Sequence, residues 1–175
     1  GKRGQAFTFV VNGIPVFAKG ANLIPFDMFP NRISVAQQRE ILQAARDANM
    51  NMLRIWGGGY YENDDFYRMA DEMGIMIWQD FMFACSMYPT KPWFLESVAV
   101  EVRQQVRRLQ HHPSVMLCAG NNENEAALRG NWWAFSQACF RSPNIENIKR
   151  IISIAAGTAL QKCSTCTSKT TLSYT

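Results

Sequence analysis

Asn122 and Glu123 stand side by side in the polar run NNENE, which directly follows the apolar segment SVMLCAG. In parallel sheets the reacting groups lie at the carboxyl ends of the strands, where the loops converge. At such a place Glu123 could deliver a proton as a carboxylic acid, and Asn122 could hold a hydroxyl group. The pair indicates general acid/base chemistry of the kind that glycoside hydrolysis needs.

Both glutamates of this run also have a simpler interpretation. A carboxylate at the start of a helix is favoured by the helix dipole, and Glu123 and Glu125 precede a helical stretch. On spacing alone, this structural role is favoured for both residues. A general acid must also be protonated near its working pH, which partial burial or a second carboxylate would promote.

Trp56 and the glycines at 57–59 follow another apolar segment, MNMLRIW. The triplet lacks the further glycine spacing and the lysine of nucleotide-binding loops, so it favours close backbone approach at a sugar site. A Trp at the end of a strand could also simply pack in the core.

Asp27 and Asp80 end two further apolar segments, in NLIPFD and WQDF. Each carboxylate could bind sugar hydroxyl groups at the site. Each could equally pair with Arg54 or Lys19 beneath the site, and the sequence leaves both alternatives open.

The first elements that must position these residues are a hairpin, a strand and a helix. The turn-prone Asn12-Gly13 pair predicts a hairpin that leads into a strand at about residues 16–21. Ser34 is the predicted N-cap of the first helix, which Asn49 would end. The helical spacing predicts one buried face made by Val35, Ile41, Leu42 and Ala45.

The rest of the chain repeats this pattern of strand, loop and helix. Strands are predicted in MNMLRIW, GIMIWQDF and SVMLCAG, and helices in YENDDFYRMADEMG, at about residues 95–110, and after the run NNENE. Four βα units in series predict an α/β fold with a parallel sheet and covering helices. Because a (β/α)8 TIM barrel takes about 250 residues, we expect a partial barrel, about its first four βα units.

Residues 1–142 are therefore predicted to form the N-terminal half of a barrel, and residues 143–175 a divergent, loosely ordered tail rich in Ser, Thr, Cys and Lys. Cys163 and Cys166 in this tail form an isolated CxxC pair, which predicts neither a metal site nor a redox site. The His111-His112 pair precedes a strand at the opposite end from the candidate chemistry. It predicts a solvated turn.

Composition excludes several classes of function. The chain has 175 residues, 47% of them hydrophobic, which is enough to form a core. Its 18 basic and 14 acidic residues are spread along the sequence, so nothing calls for a nucleic-acid partner. The apolar stretches fall short of the roughly 20 residues of a membrane span. The five cysteines do not have the spacing of a disulfide scaffold, and no signal peptide is visible.

Four longer segments together resemble the β-mannosidases of glycoside hydrolase family 2, close to the animal lysosomal type. These segments are VFAKGANLIPFDMF, MLRIWGGGYYENDDFY, MADEMGIMIWQDFMFACSMYP and HHPSVMLCAGNNENE. The resemblance runs from about Phe9 to Trp133, and its combined length and order make coincidence an inadequate explanation.

The resemblance implies a retaining exo-β-mannosidase that removes terminal β-D-mannose from oligosaccharides in the lysosome, without a metal or an organic cofactor. Glu123 corresponds to the acid/base, and Asn122 to a residue that contacts the sugar. Trp56, Asp27 and Trp132 are further candidates for substrate binding. The nucleophile, the other barrel half and amino-terminal β-sandwich domains would lie in other parts of a longer protein, and this chain alone would be inactive.

Two alternatives stay open at this point. The sugar could differ within the same family, which includes β-galactosidases, β-glucuronidases and endo-acting β-mannosidases. The chain could also be a non-catalytic truncated product, because half a barrel would leave two unpaired strand edges and uncovered apolar surface.

Overall fold

A hairpin opens the part of the chain that the structure describes. The structure is a computed structural model and describes residues 7–132 and 173–174. Asn12 and Gly13 both have positive φ, 51° and 83°, as a two-residue hairpin turn with the right twist requires. The turn joins β1 (Phe7–Val11) to β2 (Ile14–Val16) in antiparallel pairing, and β7 (Ser173–Tyr174) pairs with the other edge of β1.

The strand that follows the hairpin lies at different residues from those that the sequence predicts. The expected strand at residues 16–21 is wrong, because Val16 ends β2 and the next strand, β3, is Gly20–Leu23 in a separate sheet. The Asn51 side chain holds the connection: its Oδ1 accepts from the Lys19 amide at 2.7 Å, and its Nδ2 donates to the Phe17 carbonyl at 2.9 Å. Asn51, which lies 32 positions after Lys19, therefore fixes the segment that leads into β3.

A four-stranded parallel sheet lies at the centre of the described residues. Its strands are β3 (Gly20–Leu23), β4 (Met52–Ile55), β5 (Met76–Asp80) and β6 (Val115–Ala119), in that spatial order. The helices are α1 (Val35–Asp47), α2 (Asp64–Met73), α3 (Pro92–Leu109) and the short α4 (Asn124–Arg129), and a 3₁₀ turn (Pro30–Arg32) precedes α1. The predicted series of four βα units and the parallel sheet are confirmed.

Local sequence signals define the helix ends. Ser34 and Gln37 form a capping box at the start of α1, in which each side chain accepts from the other residue's amide. Asn63 caps α2, which ends at Gly74 in the left-handed conformation, with φ of 70°. None of these three ends depends on distant residues, and the predicted N-cap at Ser34 is confirmed.

The buried face of α1 differs in part from the prediction. Leu42 and Ala45 are buried as expected, but Val35 and Ile41 are 40% and 42% exposed. Gln38 takes the remaining place on the inner face and is 2% exposed. A polar residue is tolerated there because its amide donates to the Glu62 carboxylate at 3.1 Å.

Two apolar clusters fill the space between sheet and helices. One lies between β4, β5, α1 and α2 and contains Leu42, Leu53, Phe66, Tyr67 and Ile77, among others. The other lies under α3 and contains Phe81, Phe83, Val98, Val102 and Val106. Within residues 7–132 and 173–174, no helix combines the length and apolar character needed to cross a bilayer.

The prediction of a solvated turn at His111-His112 is wrong for His112, which is 7% exposed. Its Nδ1 lies 2.6 Å from one carboxylate oxygen of Asp71, and the other oxygen accepts from the Ser114 amide at 2.9 Å. Asp71 belongs to α2, so this contact ties the start of β6 to a helix 41 residues earlier. Of the predicted tail, residues 143–172 and 175, which include Cys163 and Cys166, fall outside the described residues.

Glu62 belongs to the loop that precedes α2, and its carboxylate is buried against α1. Only 5% of the residue is exposed, and burial raises the pKa of its carboxyl to about 7, against the lowering effect of the hydrogen bond from Gln38. The Arg108 guanidinium donates to the Glu62 backbone carbonyl at 3.1 Å, while its other end pairs with Asp64. The hydrogen-bond partner of the Glu62 carboxylate is the Gln38 amide.

We expect Glu62 to make the stability of the fold depend on pH. Because the pKa of Glu62 is raised in the folded state, its carboxyl keeps its proton up to a higher pH in the folded protein than in the unfolded chain. The free energy of unfolding should therefore fall as the pH rises from about 5 to about 8, by up to about 3 kcal/mol. Glu62→Gln should flatten this part of the profile in urea unfolding, whereas the exposed Glu40→Gln should leave it unchanged. Identical profiles for wild type and Glu62→Gln would contradict the assignment.

Candidate functional site

Polar side chains of four adjacent strands meet at the carboxyl end of the parallel sheet. The register places Asn22 of β3 beside Arg54 of β4, and Arg54 beside Trp78 of β5. Alternate residues of a strand point to the same face, so Asp80 follows Trp78 on that face. Asn122 lies in the loop that follows β6 and completes the group.

Arg54 connects the members of this group. Its Nη2 lies 2.6 Å from Oδ2 of Asp80 and 2.7 Å from Oδ1 of Asn122, and its Nε lies 3.3 Å from Oδ1 of Asp80. Its Nη1 donates to Oδ1 of Asn22 at 3.2 Å. One guanidinium thus joins residues from β3, β5 and the loop after β6, as its planar fork of donors permits.

Asp80 is fully buried and surrounded by donors. Besides Arg54, it accepts from the Gly57 amide at 3.1 Å and from the Trp78 indole at 2.9 Å. Burial raises the pKa of the Asp80 carboxyl, and Arg54, Gly57 and Trp78 counteract that rise. Of the two roles open to Asp80, the structure shows the ion pair with Arg54.

The glycine at 57 is needed for this contact. A Cβ atom there would lie 2.7 Å from the Phe81 carbonyl oxygen and 3.2 Å from Cβ of Asp80. The close backbone approach expected at the glycine triplet is therefore an approach between the ends of the neighbouring strands β4 and β5.

Asn122 and Glu123 touch each other at the end of β6. Asn122 is 5% exposed, and its Nδ2 donates to Oε2 of Glu123 at 3.2 Å. Because Arg54 occupies the amide oxygen, the orientation of the amide is settled and the NH₂ group faces Glu123. Glu123 is exposed, has a left-handed backbone with φ of 59°, and its carbonyl accepts from the Ala127 amide of α4 at 2.8 Å.

The segment after β5 packs against this pair. The Phe83 carbonyl accepts from the Asn122 amide at 2.8 Å, and the Cys85 amide donates to the Asn122 carbonyl at 3.0 Å. The Ser86 amide donates to the Asn124 side chain at 3.2 Å. Arg54 was expected only as one possible partner of Asp80, and neither its contact with Asn122 nor the position of Cys85 was expected from the sequence. An arginine inside the apolar segment MLRIW was the available signal, since a half-buried cation needs partners.

Trp56 and Asp27, two further candidates, make contacts of their own. The Trp56 indole covers Gly58, whose Cβ would lie 2.1 Å from the ring. Asp27 pairs with Arg32 at 3.4 Å and accepts from the Phe29 amide at 2.9 Å.

Trp132 is 53% exposed and follows α4. Its amide donates to the Ala127 carbonyl at 3.1 Å. Trp133 lies outside the described residues. Across 7–132 and 173–174, the His, Cys, Asp and Glu side chains form no group of three or more suited to hold a metal ion.

Comparison with known proteins relates this chain to one enzyme group. It is 58% identical to the β-mannosidase of Rattus norvegicus over 133 residues, and 46% identical to a probable β-mannosidase of Caenorhabditis elegans over 136 residues. The crystal structure of a β-D-mannosidase from Dictyoglomus thermophilum matches with a TM-score of 0.73 and 51% identity over 76% of the chain. This chain is a homologue of the β-mannosidases. The resemblance predicted from the sequence is confirmed.

The homologous region is a small part of these proteins. The match covers 76% of this chain but 15% of the rat β-mannosidase, and 16% of the Dictyoglomus thermophilum β-D-mannosidase. A β-glucuronidase from Bacteroides uniformis matches over 92% of this chain and 19% of its own, with a TM-score of 0.72 and 18% identity, which shows a shared fold. No protein-family model matches the chain.

Asp80→Asn should destabilise the fold strongly, since it leaves Arg54 without its buried counter-ion and turns an amide donor toward other donors. We expect a loss of about 3–5 kcal/mol in the free energy of unfolding, measured with urea. The exposed pair of Arg68 and Asp65 offers a matched control, and Asp65→Asn should cost less than about 1 kcal/mol. Equal costs for the two variants would refute the anchoring role of Asp80.

Proposed function

We propose that this chain forms part of the catalytic domain of a retaining exo-β-mannosidase, which removes terminal β-D-mannose from oligosaccharides. The observation that carries the proposal is the Asn122-Glu123 pair at the carboxyl end of β6, joined by a hydrogen bond and anchored through Arg54 to Asp80. The homology to β-mannosidases supports the sugar and the reaction.

In this proposal Glu123 works as the general acid and then as the general base. It protonates the departing glycosidic oxygen, and after the first step it deprotonates the incoming water. Its exposure suits this role, because the carboxyl must reach both substrate and water. Asn122 is proposed to contact the sugar that binds beside Glu123.

A retaining mechanism needs a second carboxylate about 5 to 5.5 Å from the first, as nucleophile. Asp80 belongs to the same network as Glu123, but it is fully buried and accepts hydrogen bonds from Arg54, Gly57 and Trp78. Such a carboxylate is not free to attack a sugar. The proposal therefore assigns the nucleophile to another segment of a longer protein, and this chain alone is expected to be inactive.

The sheet is proposed to be the first half of a (β/α)8 barrel formed by residues 1–142, followed by a divergent tail at 143–175. Two features support the barrel: the four strands lie side by side in chain order, and the polar network lies at their carboxyl ends. Within the described residues, β3 and β6 each pair with a strand on one side only. Further strands and β-sandwich domains would complete the enzyme.

The contributions of Trp56, Asp27 and Trp132 to substrate binding belong to the same proposal. Trp56 is half-buried, with its indole against Gly58. The exposed indole of Trp132 is available for stacking on a sugar, whereas Asp27 would have to exchange its contact with Arg32 for a sugar hydroxyl.

We also propose that the enzyme works in the lysosome. The resemblance to the animal lysosomal type suggests that location, and Glu62 is consistent with it. Its carboxyl, with a pKa raised to about 7, is neutral in an acidic compartment, where its burial carries no charge penalty.

The role of Glu123 can be tested in a complete enzyme. Residues 7–132 would replace the equivalent segment of the Dictyoglomus thermophilum β-D-mannosidase, which is 51% identical. Glu123→Gln should lower kcat/KM on aryl β-mannosides with poor leaving groups by about 10²- to 10⁴-fold, because the leaving oxygen loses its acid. A 2,4-dinitrophenyl mannoside, whose leaving group needs no proton, should lose far less.

Glu125→Gln is the matched control and should keep activity near that of the parent chimera. Equal losses in the two variants, or equal losses on both leaving groups, would refute the assignment of Glu123. The same chimera, assayed on aryl β-galactosides and β-glucuronides, tests the sugar. A preference for either of these over the mannoside would favour the alternative glycosidases.

The proposed half-barrel also predicts self-association of the 175-residue chain. Within the described residues, β3 and β6 each have one unpaired edge, and the apolar side chains of Phe17 and Met28 are 82% and 88% exposed. These features favour pairing with a second copy. Size-exclusion chromatography with light scattering should show dimers or larger species. A monomer at all concentrations would contradict the half-barrel.

A further inference from the structure

The loop after β5 places a thiol against the Asn122-Glu123 pair. Sγ of Cys85 lies 3.5 Å from Oε2 of Glu123 and 3.3 Å from Nδ2 of Asn122. The position is specified by the backbone, since the Cys85 amide donates to the Asn122 carbonyl at 3.0 Å and Ala84 forms a parallel bridge with Asn122. Cys85 adopts a left-handed conformation, with φ of 44°, to reach it.

The contact between Arg54 and Asn122 determines which groups around the thiol donate and which accept. Arg54 donates to Oδ1 of Asn122, so the Asn122 NH₂ group must donate, and it reaches both the sulfur of Cys85 and Oε2 of Glu123. The sulfur therefore accepts, and its own proton needs an acceptor. Oε2 of Glu123 is nearer than the alternative, the Asn122 carbonyl at 3.9 Å, which already accepts from the Cys85 amide.

The chemistry of the thiol fits a donor. Burial raises the pKa of the Cys85 thiol, and the neighbouring Glu123 raises it further, while the hydrogen bond from Asn122 lowers it. The neutral S–H form is therefore favoured, and a thiolate beside the carboxylate is disfavoured. A thiol is a weak donor, so it can hold a carboxylate oxygen without binding it as tightly as a hydroxyl would.

We propose that Cys85 is a positioning residue for Glu123: its S–H donates to Oε2, and together with the Asn122 amide it holds that oxygen in place. The other carboxylate oxygen is then left to face the glycosidic oxygen. The catalytic meaning of this contact rests on the function proposed for Glu123. The contact itself does not, and it can be tested without turnover.

The test uses the full 175-residue chain and the alkylation of Cys85 by iodoacetamide, followed against pH by peptide mass spectrometry. Glu123→Gln removes the carboxylate that disfavours the thiolate, so its Cys85 should be alkylated several-fold faster than that of wild type near pH 8. Glu125→Gln is the matched control and should keep the wild-type profile. The half-buried Cys118 in β6 serves as an internal reference for folding and should react equally in all three proteins.

A second measurement follows the carboxyl carbon of Glu123 by ¹³C NMR. Cys85→Ala should move this resonance, and Cys85→Ser, which restores a donor, should move it back toward the wild-type position. A merely structural role for Cys85 would not give rescue by serine. Identical alkylation profiles in wild type and Glu123→Gln, or identical Glu123 resonances in all Cys85 variants, would overturn the proposal.

These outcomes separate the two proposals. Coupling between Cys85 and Glu123 with an active Glu123→Gln chimera would keep the contact and refute the function assigned to Glu123. Loss of activity in that chimera without coupling would keep the function and refute the role of Cys85.

Discussion

The buried ion pair between Arg54 and Asp80 is the constraint on which the candidate site depends. A carboxylate with no exposed surface is costly unless donors surround it. The Arg54 guanidinium, the Gly57 amide and the Trp78 indole supply those donors, and each comes from a strand or strand end of the sheet. The pair therefore locks the carboxyl ends of β4 and β5 together. Arg54 also donates to Asn22 of β3 and to Asn122 after β6, so it holds the carboxyl ends of these two strands as well.

The position of Glu123 follows from this anchor through Asn122. Arg54 occupies the Asn122 amide oxygen, so the amide nitrogen faces the Glu123 carboxylate. Two residues at the site, Cys85 and Glu123, have positive φ without being glycine. Such strained backbone persists only where surrounding contacts determine it, and the bonds between the loop after β5 and Asn122 provide them. The exposed carboxylate of Glu123 is therefore carried by backbone that these contacts fix in place.

The elements that the sequence predicts well depend on neighbouring residues. The capping box at Ser34, the left-handed Gly74 and the Asn12-Gly13 turn each act within a few positions. The errors concern contacts between distant residues. Asn51 binds the segment that precedes β3, and Asp71 binds the ring of the buried His112. In both cases a polar side chain satisfied backbone or ring donors that the local pattern leaves open.

The sequence by itself determined the order of βα units, the chemical types at each strand end and the relation to β-mannosidases, since periodicity, capping and motif order are local properties of the chain. Only the tertiary structure decided that Asp80 pairs with Arg54, 26 positions away, and that Arg54 holds Asn122, 68 positions away. It alone brought Cys85 to Glu123. These choices follow from the register of the parallel sheet, which pairs strands that are distant in the sequence and brings their ends within hydrogen-bonding distance.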